Sequence, residues 1–218
     1  STNGIVWTGR GATSMINPWG IAYGKDGSGN GLWVAVGGWV TVGGNTIATS
    51  TNGIIWTGRG ATVFTSVGYA VTYANNLWVA VGTGGNTFAT SPDGIIWTGR
   101  SQSVFTIGYS VAYGKDGSNN GLWVAVGEST NIATSTDGIT WTSRAANGGI
   151  TTGQGVASGN GLWVAVGDGS AINTIATSTN GITWTGRGAT ILRTSGRGVA
   201  YANGLWVAVG QDVVGGGR

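Results

Sequence analysis

Arginine recurs at one place in a repeated tetrad. W-T-G-R or W-T-S-R ends at Arg10, Arg59, Arg100, Arg144 and Arg187. Five guanidinium groups at equivalent loops suit a ring of anion-binding sites, because each presents a planar fork of donors. The same repetition also suits a shared structural task, in which each arginine bonds loop carbonyls or stacks on a tryptophan. The seven acids are Asp26, Asp93, Asp116, Glu128, Asp137, Asp168 and Asp212. Glu128, Asp168 and Asp212 closely follow three successive copies of the hexad L-W-V-A-V-G. Two carboxylates about 5–10 Å apart are what glycoside hydrolysis needs. No nucleophile with a base partner accompanies them and the chain has no histidine, so a non-enzymatic protein is expected. Asp26 and Asp116 sit in G-K-D-G-S-G-N-G and G-K-D-G-S-N-N-G, which carry too few acidic ligands for a calcium loop. With no cysteine either, neither a metal nor another cofactor is expected.

A second set of residues varies where everything around it repeats. Aligned two residues before Ile21, Val71, Val111, Val156 and Val199, the units carry Trp19, Tyr69, Tyr109, Gln154 and Arg197. Trp39 is the other tryptophan outside the repeated positions, in the unit that contains Trp19. Variation at one slot of a uniform repeat is where a ligand preference can be written. Surplus aromatics beside arginine suit sugar stacking or a flat partner; the alternative is that they fill gaps left by local loop changes.

The elements that hold these residues follow from the repeat itself. L-W-V-A-V-G begins at Leu32, Leu77, Leu122, Leu162 and Leu205, with spacings of 45, 45, 40 and 43 residues. A serine-led turn ending in tryptophan begins at Ser1, Ser50, Ser91, Ser135 and Ser178. Such periods signal propeller blades or another stacked array. Each unit reads as a four-stranded meander, in the second unit Tyr69–Tyr73, Leu77–Val81, Thr87–Thr90 and Ile95–Thr98. Leu77, Val79 and Val81 alternate with Trp78 and Ala80, so both faces of the second strand are apolar and should pack between sheets. Ten of the twelve tryptophans occupy repeated positions, one on the second strand and one after the turn of each unit. Burying each contributes about 4–6 kcal/mol of gross stabilisation, so core packing between blades is their expected role rather than a set of sugar platforms.

In S-P-D-G, Pro92 fits position i+1 of a type I turn, with Gly94 in the left-handed position of a bulge. Asn3, Asn52, Asp137 and Asn180 stand where Asp93 does and should bond nearby backbone amides. The chain starts on a turn and fourth strand, Ser1 to Thr8, and ends on first and second strands, Gly198 to Val209. These fragments complement each other, which predicts a single all-β domain over 1–218, a five-bladed β-propeller closed by one shared blade. The blades are expected at about 11–57, 58–98, 99–142, 143–185, and 186–218 joined to 1–10. The third strand of the closing blade is open: Q-D-V-V-G-G-G-R from Gln211 to Arg218 leaves it irregular, absent or supplied by another chain. Ser1 opens on a repeat with no leader-like stretch, as in a chain processed, excised or built without its natural start.

The turn resembles the Asp-box, or BNR repeat, of sialidase-like β-propellers, whose pattern is S-x-D-x-G-x-T-W. S-T-D-G-I-T-W at Ser135–Trp141 and S-P-D-G-I-I-W at Ser91–Trp97 carry the likeness with one residue fewer between acid and tryptophan, and three copies have asparagine. The resemblance covers all five units and implies the propeller class. It implies boxes that serve structure on the face opposite the ligand site, and it invites reading three of the arginines as a carboxylate-binding triad. Sialidases have six blades, one more than the units counted here.

Charged residues form only 8% of the chain and the net charge is +3, too weak a footprint for nucleic acid. No apolar run approaches the ~18 residues of a membrane span. The expectation is a binding module for glycans or another protein on an extracellular or particle surface. A structural repeat scaffold, amplified or designed, is the alternative, and a sialidase-like glycoside hydrolase the third class.

Overall fold

The structure is a computed structural model that describes residues 5, 17–38, 44–100, 104–129, 131–144, 148–169 and 172–212. Arg10, Trp39, Asn3 and the expected strand from Ser1 to Thr8 lie outside the described residues, Ile5 apart. Among the described residues there is no helix. The first sheet contains β1 (Pro18–Lys25), β2 (Gly31–Gly37), β3 (Ile47–Ser50) and β4 (Thr57–Gly58). The second contains β5 (Val67–Ala74), β6 (Leu77–Thr83), β7 (Phe88–Ser91) and β8 (Thr98–Arg100). The third contains β9 (Gly108–Lys115), β10 (Gly121–Gly127), β11 (Ile132–Ser135) and β12 (Thr142–Arg144). The fourth contains β13 (Thr152–Gly159), β14 (Leu162–Asp168), β15 (Ile175–Ser178) and β16 (Thr185–Gly186). A final hairpin pairs β17 (Ser195–Ala202) with β18 (Leu205–Gln211). The four strands of each blade form an antiparallel meander in chain order, with the final hairpin joined to the fourth sheet through β14, and the first strands contact one another in succession, so the blades radiate from a common axis.

The blades pack through the double apolar face of the second strand. In β6, Trp78, Val79, Ala80 and Val81 are all fully buried. Val36 packs in one cluster with Ala80, Ala89 and Trp97 of the next blade. Val81 does the same with Ala125, Ala133 and Trp141, and Val126 with Ala165, Ala176 and Trp184. Ala80 pairs with both Val71 and Ala89, and these three residues share one cluster with Val36 of the neighbouring blade. The second-strand tryptophans also tie blades together: Nε1 of Trp78 donates to the Lys25 carbonyl at 2.8 Å, and Nε1 of Trp163 to the Lys115 carbonyl at 2.7 Å.

Two expectations need correction. Five four-stranded blades are predicted, whereas the described residues form four. The fifth repeat contributes only the β17–β18 hairpin, joined to β14 through the pairing of Asp168 with Ser195. No third strand of this repeat falls among the described residues, and all of Q-D-V-V-G-G-G-R after Asp212 lies outside them. The strand expected to complete the blade lies outside the described residues.

The fourth strand also begins later than predicted, at Thr98 rather than Ile95 in the second blade. The turn itself is the cause. Oδ1 of Asp93 accepts bonds from the amides of Ile95 and Ile96, both at 2.8 Å, and those amides are therefore lost to the ladder. Pairing resumes only at Thr90 with Thr98, so the connection is a wide loop rather than a tight bulged hairpin. Oγ of Ser91 accepts from the Gly94 amide at 2.8 Å and donates to Oδ1 of Asp93 at 2.9 Å. Asn52, Asp137 and Asn180 repeat this capture of two amides, because an amide oxygen accepts as a carboxylate does.

Gly94 has φ of 72°, and a Cβ there would lie 2.7 Å from Cδ2 of Leu32 in the preceding blade. Gly94→Val should therefore lose about 2–4 kcal/mol from forced positive φ and overpacking together. A denaturant midpoint equal to that of the parent would contradict this turn.

Partial burial pushes the Asp93 carboxyl up, but the amides of Ile96 and Ile95 and the Ser91 hydroxyl outweigh it, leaving Asp93 below its ordinary 3.8. Asp137 is lowered against the same opposing burial by Thr140, Ile139 and Ser135. With folded values depressed, the stability these groups contribute is present above the ordinary carboxylate value and lost as pH falls through the lowered one. Melting followed from about pH 5 to pH 2 should decline less steeply in Asp93→Asn/Asp137→Asn than in the parent. Identical acid slopes would show that the two carboxylates are not coupled to folding.

Candidate functional site

The variable column gathers at one end of the axis. Trp19, Tyr69, Tyr109, Gln154 and Arg197 occupy equivalent places near the starts of the five first strands. The rings of Trp19 and Tyr69 lie 5.8 Å apart and tilted, and those of Tyr69 and Tyr109 lie 5.0 Å apart, edge to face. Three neighbouring blades thus supply one aromatic ladder. Trp19 is exposed and both tyrosines are half-buried, so the ladder presents ring surface to solvent.

The other side of the mouth is polar. Its residues come from a second variable slot, the one directly after L-W-V-A-V-G, where the units read Gly38, Thr83, Glu128, Asp168 and Gln211. The amide of Glu128 donates to the Ile107 carbonyl at 2.8 Å, which holds Glu128 beside the start of β9. Its Oε2 accepts from the Thr106 hydroxyl at 3.1 Å. Asp168 pairs with Thr152, and its Oδ2 accepts from Nε2 of Gln154 at 3.3 Å. Burial pushes the Tyr109 hydroxyl up, and the charges of Glu128 and Asp168 push it further against the opposing charge of Arg197. Tyr109 therefore stays a protonated donor well into the alkaline range. Sequence reasoning found these acids individually; comparing the residues that follow each hexad would have found the second slot.

The four described members of the repeated arginine set are fastened elsewhere. Nε of Arg59, Arg100, Arg144 and Arg187 donates to the hydroxyls of Thr49, Thr90, Thr134 and Thr177 at 2.9, 3.0, 2.9 and 2.7 Å. Each arginine is thus fastened at the end of a fourth strand to the third strand of its own blade. Three strand spacings separate that position from the column, roughly 10–15 Å. The described arginines have a repeated structural partner. Arg10 and Trp39 lie outside the described residues.

On the opposite end, the glycine-rich turns close on themselves. Oδ1 of Asp26 accepts from the amides of Ser28 and Asn30 at 2.9 and 2.8 Å, and Asp116 repeats the pattern with Ser118 and Asn120. Bonds from Asn30 and Asn120 hold the two carboxyls below their ordinary value. Among the described residues no three metal-ligating side chains cluster.

No family model matches the chain, and no curated protein matches it either. Solved structures do. A streptogramin B lyase superposes with a TM-score of 0.63 at 12% identity, over 84% of this chain and 58% of that one. YCF48 from Cyanidioschyzon merolae gives 0.57 at 15% identity, over 87% of this chain and 61% of that one. The computationally designed Ika8 protein gives 0.54 at 14% identity, over 88% of this chain and 54% of that one. The chain has a β-propeller fold. It spans between 54% and 61% of these three structures, and identities this low speak for the fold alone.

Proposed function

We propose that this chain is a non-enzymatic, carbohydrate-binding propeller with its ligand at the mouth of the axis. The observation that carries the reading is the ladder Trp19–Tyr69–Tyr109 facing the polar set of Glu128, Gln154, Asp168 and Arg197. Sugars present apolar C–H faces that stack on aromatic rings and hydroxyl edges that bond carboxylates, amides and guanidinium groups. Both kinds of surface meet here, on adjacent blades. In this reading the frame is a five-bladed ring with Asp-box-like turns, and the outer arginines and box turns serve the frame alone.

A glycan array is the test. The protein should bind a restricted set of glycans, and a blank array at high protein concentration would exclude the carbohydrate reading and leave the scaffold. Chromogenic glycosides should remain intact in its presence. Turnover that disappears in Glu128→Gln or Asp168→Asn would replace a binding module with a hydrolase.

A further inference from the structure

The polar wall of the mouth carries more negative than positive charge. Glu128 and Asp168 stand there against one guanidinium, that of Arg197. Among the described residues the only ion pair joins Arg193 to Asp212, so no cationic side chain is in contact with Glu128 or Asp168. Thr106 donates to Oε2 of Glu128 and Gln154 to Oδ2 of Asp168. A carboxylate offers about four lone-pair sites, and one such bond fills only part of that capacity. Tyr109 joins this wall to the aromatic one. Its ring meets Tyr69 edge to face at 5.0 Å, and the charges of Glu128 and Asp168 act on its hydroxyl more strongly than that of Arg197. Ser195 adds an irregularity. It pairs directly with Asp168, so the two side chains leave the ladder on one face, with Cβ atoms about 4.5–5.5 Å apart. It is 1% exposed, and its Oγ has no hydrogen-bond partner among the described residues. Buried hydroxyls are almost always paired, so a donor left idle beside a carboxylate calls for a reason.

We infer that the glycan taken at the mouth carries a free amino group, and that its ammonium is held by the carboxylates of Glu128 and Asp168 beside the ring of Tyr109. An ammonium suits both walls. Aromatic faces attract a cation through the ring quadrupole, and carboxylates form charge-assisted bonds with it that are roughly twice as strong as neutral ones. A hydroxyl or an acetamide gains neither, and an acidic sugar meets two like charges for one opposite charge. As the ammonium draws the Asp168 carboxylate away from Gln154, the hydroxyl of Ser195 supplies the replacement donor, which gives the idle group its task. The charge of the whole chain works against such a ligand, because it is +3. Attraction of a cation therefore has to come from this wall.

The inference rests on the carbohydrate reading above, and matched ligands separate the two. The probes are oligomers of glucose, N-acetylglucosamine and glucosamine of equal length and linkage, with the same three forms in the galactose series. Calorimetric titrations at about pH 6 keep the amine protonated. Within a series the members differ in one group, a hydroxyl, an acetamide or an ammonium. In at least one series the ammonium member should bind at least roughly tenfold tighter than the other two. That preference should shrink toward equality in Glu128→Gln/Asp168→Asn and grow in Arg197→Gln, which removes the opposing charge. Glu128 and Arg197 are exposed and Asp168 is half-buried, so these near-isosteric variants are expected to fold, and melting curves check that they do. Ser195→Ala should not lower Tm, since its hydroxyl bonds nothing in the free protein, yet it should weaken the ammonium member. Hydroxyl or acetamide members that bind as tightly as their ammonium partners would overturn the amine and leave the carbohydrate reading standing. An ammonium preference that survives intact in Glu128→Gln/Asp168→Asn would overturn it equally. If no member of either series binds, the inference falls, and a blank array takes the carbohydrate reading with it.

Discussion

Trp163→Ala should destabilise the protein by about 3–5 kcal/mol, the loss expected for a fully buried aromatic that leaves a cavity behind. Trp163 is completely buried, in one cluster with Val124 and Val126 of the third blade and Ala165 and Ala176 of its own. The substitution also strands the Lys115 carbonyl that its indole N–H now satisfies. For a chain of this size such a loss lowers Tm by roughly 6–20 °C. Trp163→Phe keeps most of the ring and should fall well short of that. A melting curve for Trp163→Ala within 2 °C of the parent, to use roughly the shift of a single kcal/mol, would show that blade packing does not hold the domain together.

The second large effect concerns binding. Trp19→Ala/Tyr69→Ala should weaken the best glycan from the array by at least roughly 30-fold, the cost of about 2 kcal/mol of lost stacking. The double variant removes two adjoining rings of the ladder and leaves Tyr109 without its edge-to-face neighbour. Thermal stability should change little, because Trp19 is exposed and Tyr69 is half-buried. Arg100→Ala provides the contrast. Its guanidinium is fastened to Thr90 far from the column, so it should lower Tm modestly and leave affinity unchanged. Equal affinity losses in the two variants would remove the distinction between mouth and rim.

Much of this architecture is written locally in the chain. The hexad L-W-V-A-V-G announces a strand buried on both faces, and β2, β6, β10 and β14 are buried as it requires. The column from Trp19 to Arg197 is legible because one slot varies while its neighbours repeat, and three of its members do meet as a ladder. The start of the fourth strand is not legible in the same way. Ile95 and Ile96 have strand-forming side chains, but their amides are claimed by Asp93 across three residues of turn, a preference no propensity records. The role of the arginines is hidden for a different reason. Repetition signals a common partner without naming it, and the partner is a threonine ten residues earlier in the same blade. Ring closure is not legible either, because periodicity supplies the repeated blade faces without showing whether the first and the last of them meet.

The central claim is that a ligand sits at the mouth formed by the variable column. Titration of isotope-labelled protein with the strongest glycan of the array, followed by NMR of side-chain and backbone resonances, tests it directly. The largest shifts should fall on Trp19, Tyr69, Tyr109, Gln154 and Arg197, with smaller ones at Glu128 and Asp168. Shifts confined to the outer arginines or to the box turns around Asp93 and Asp137 would contradict that placement.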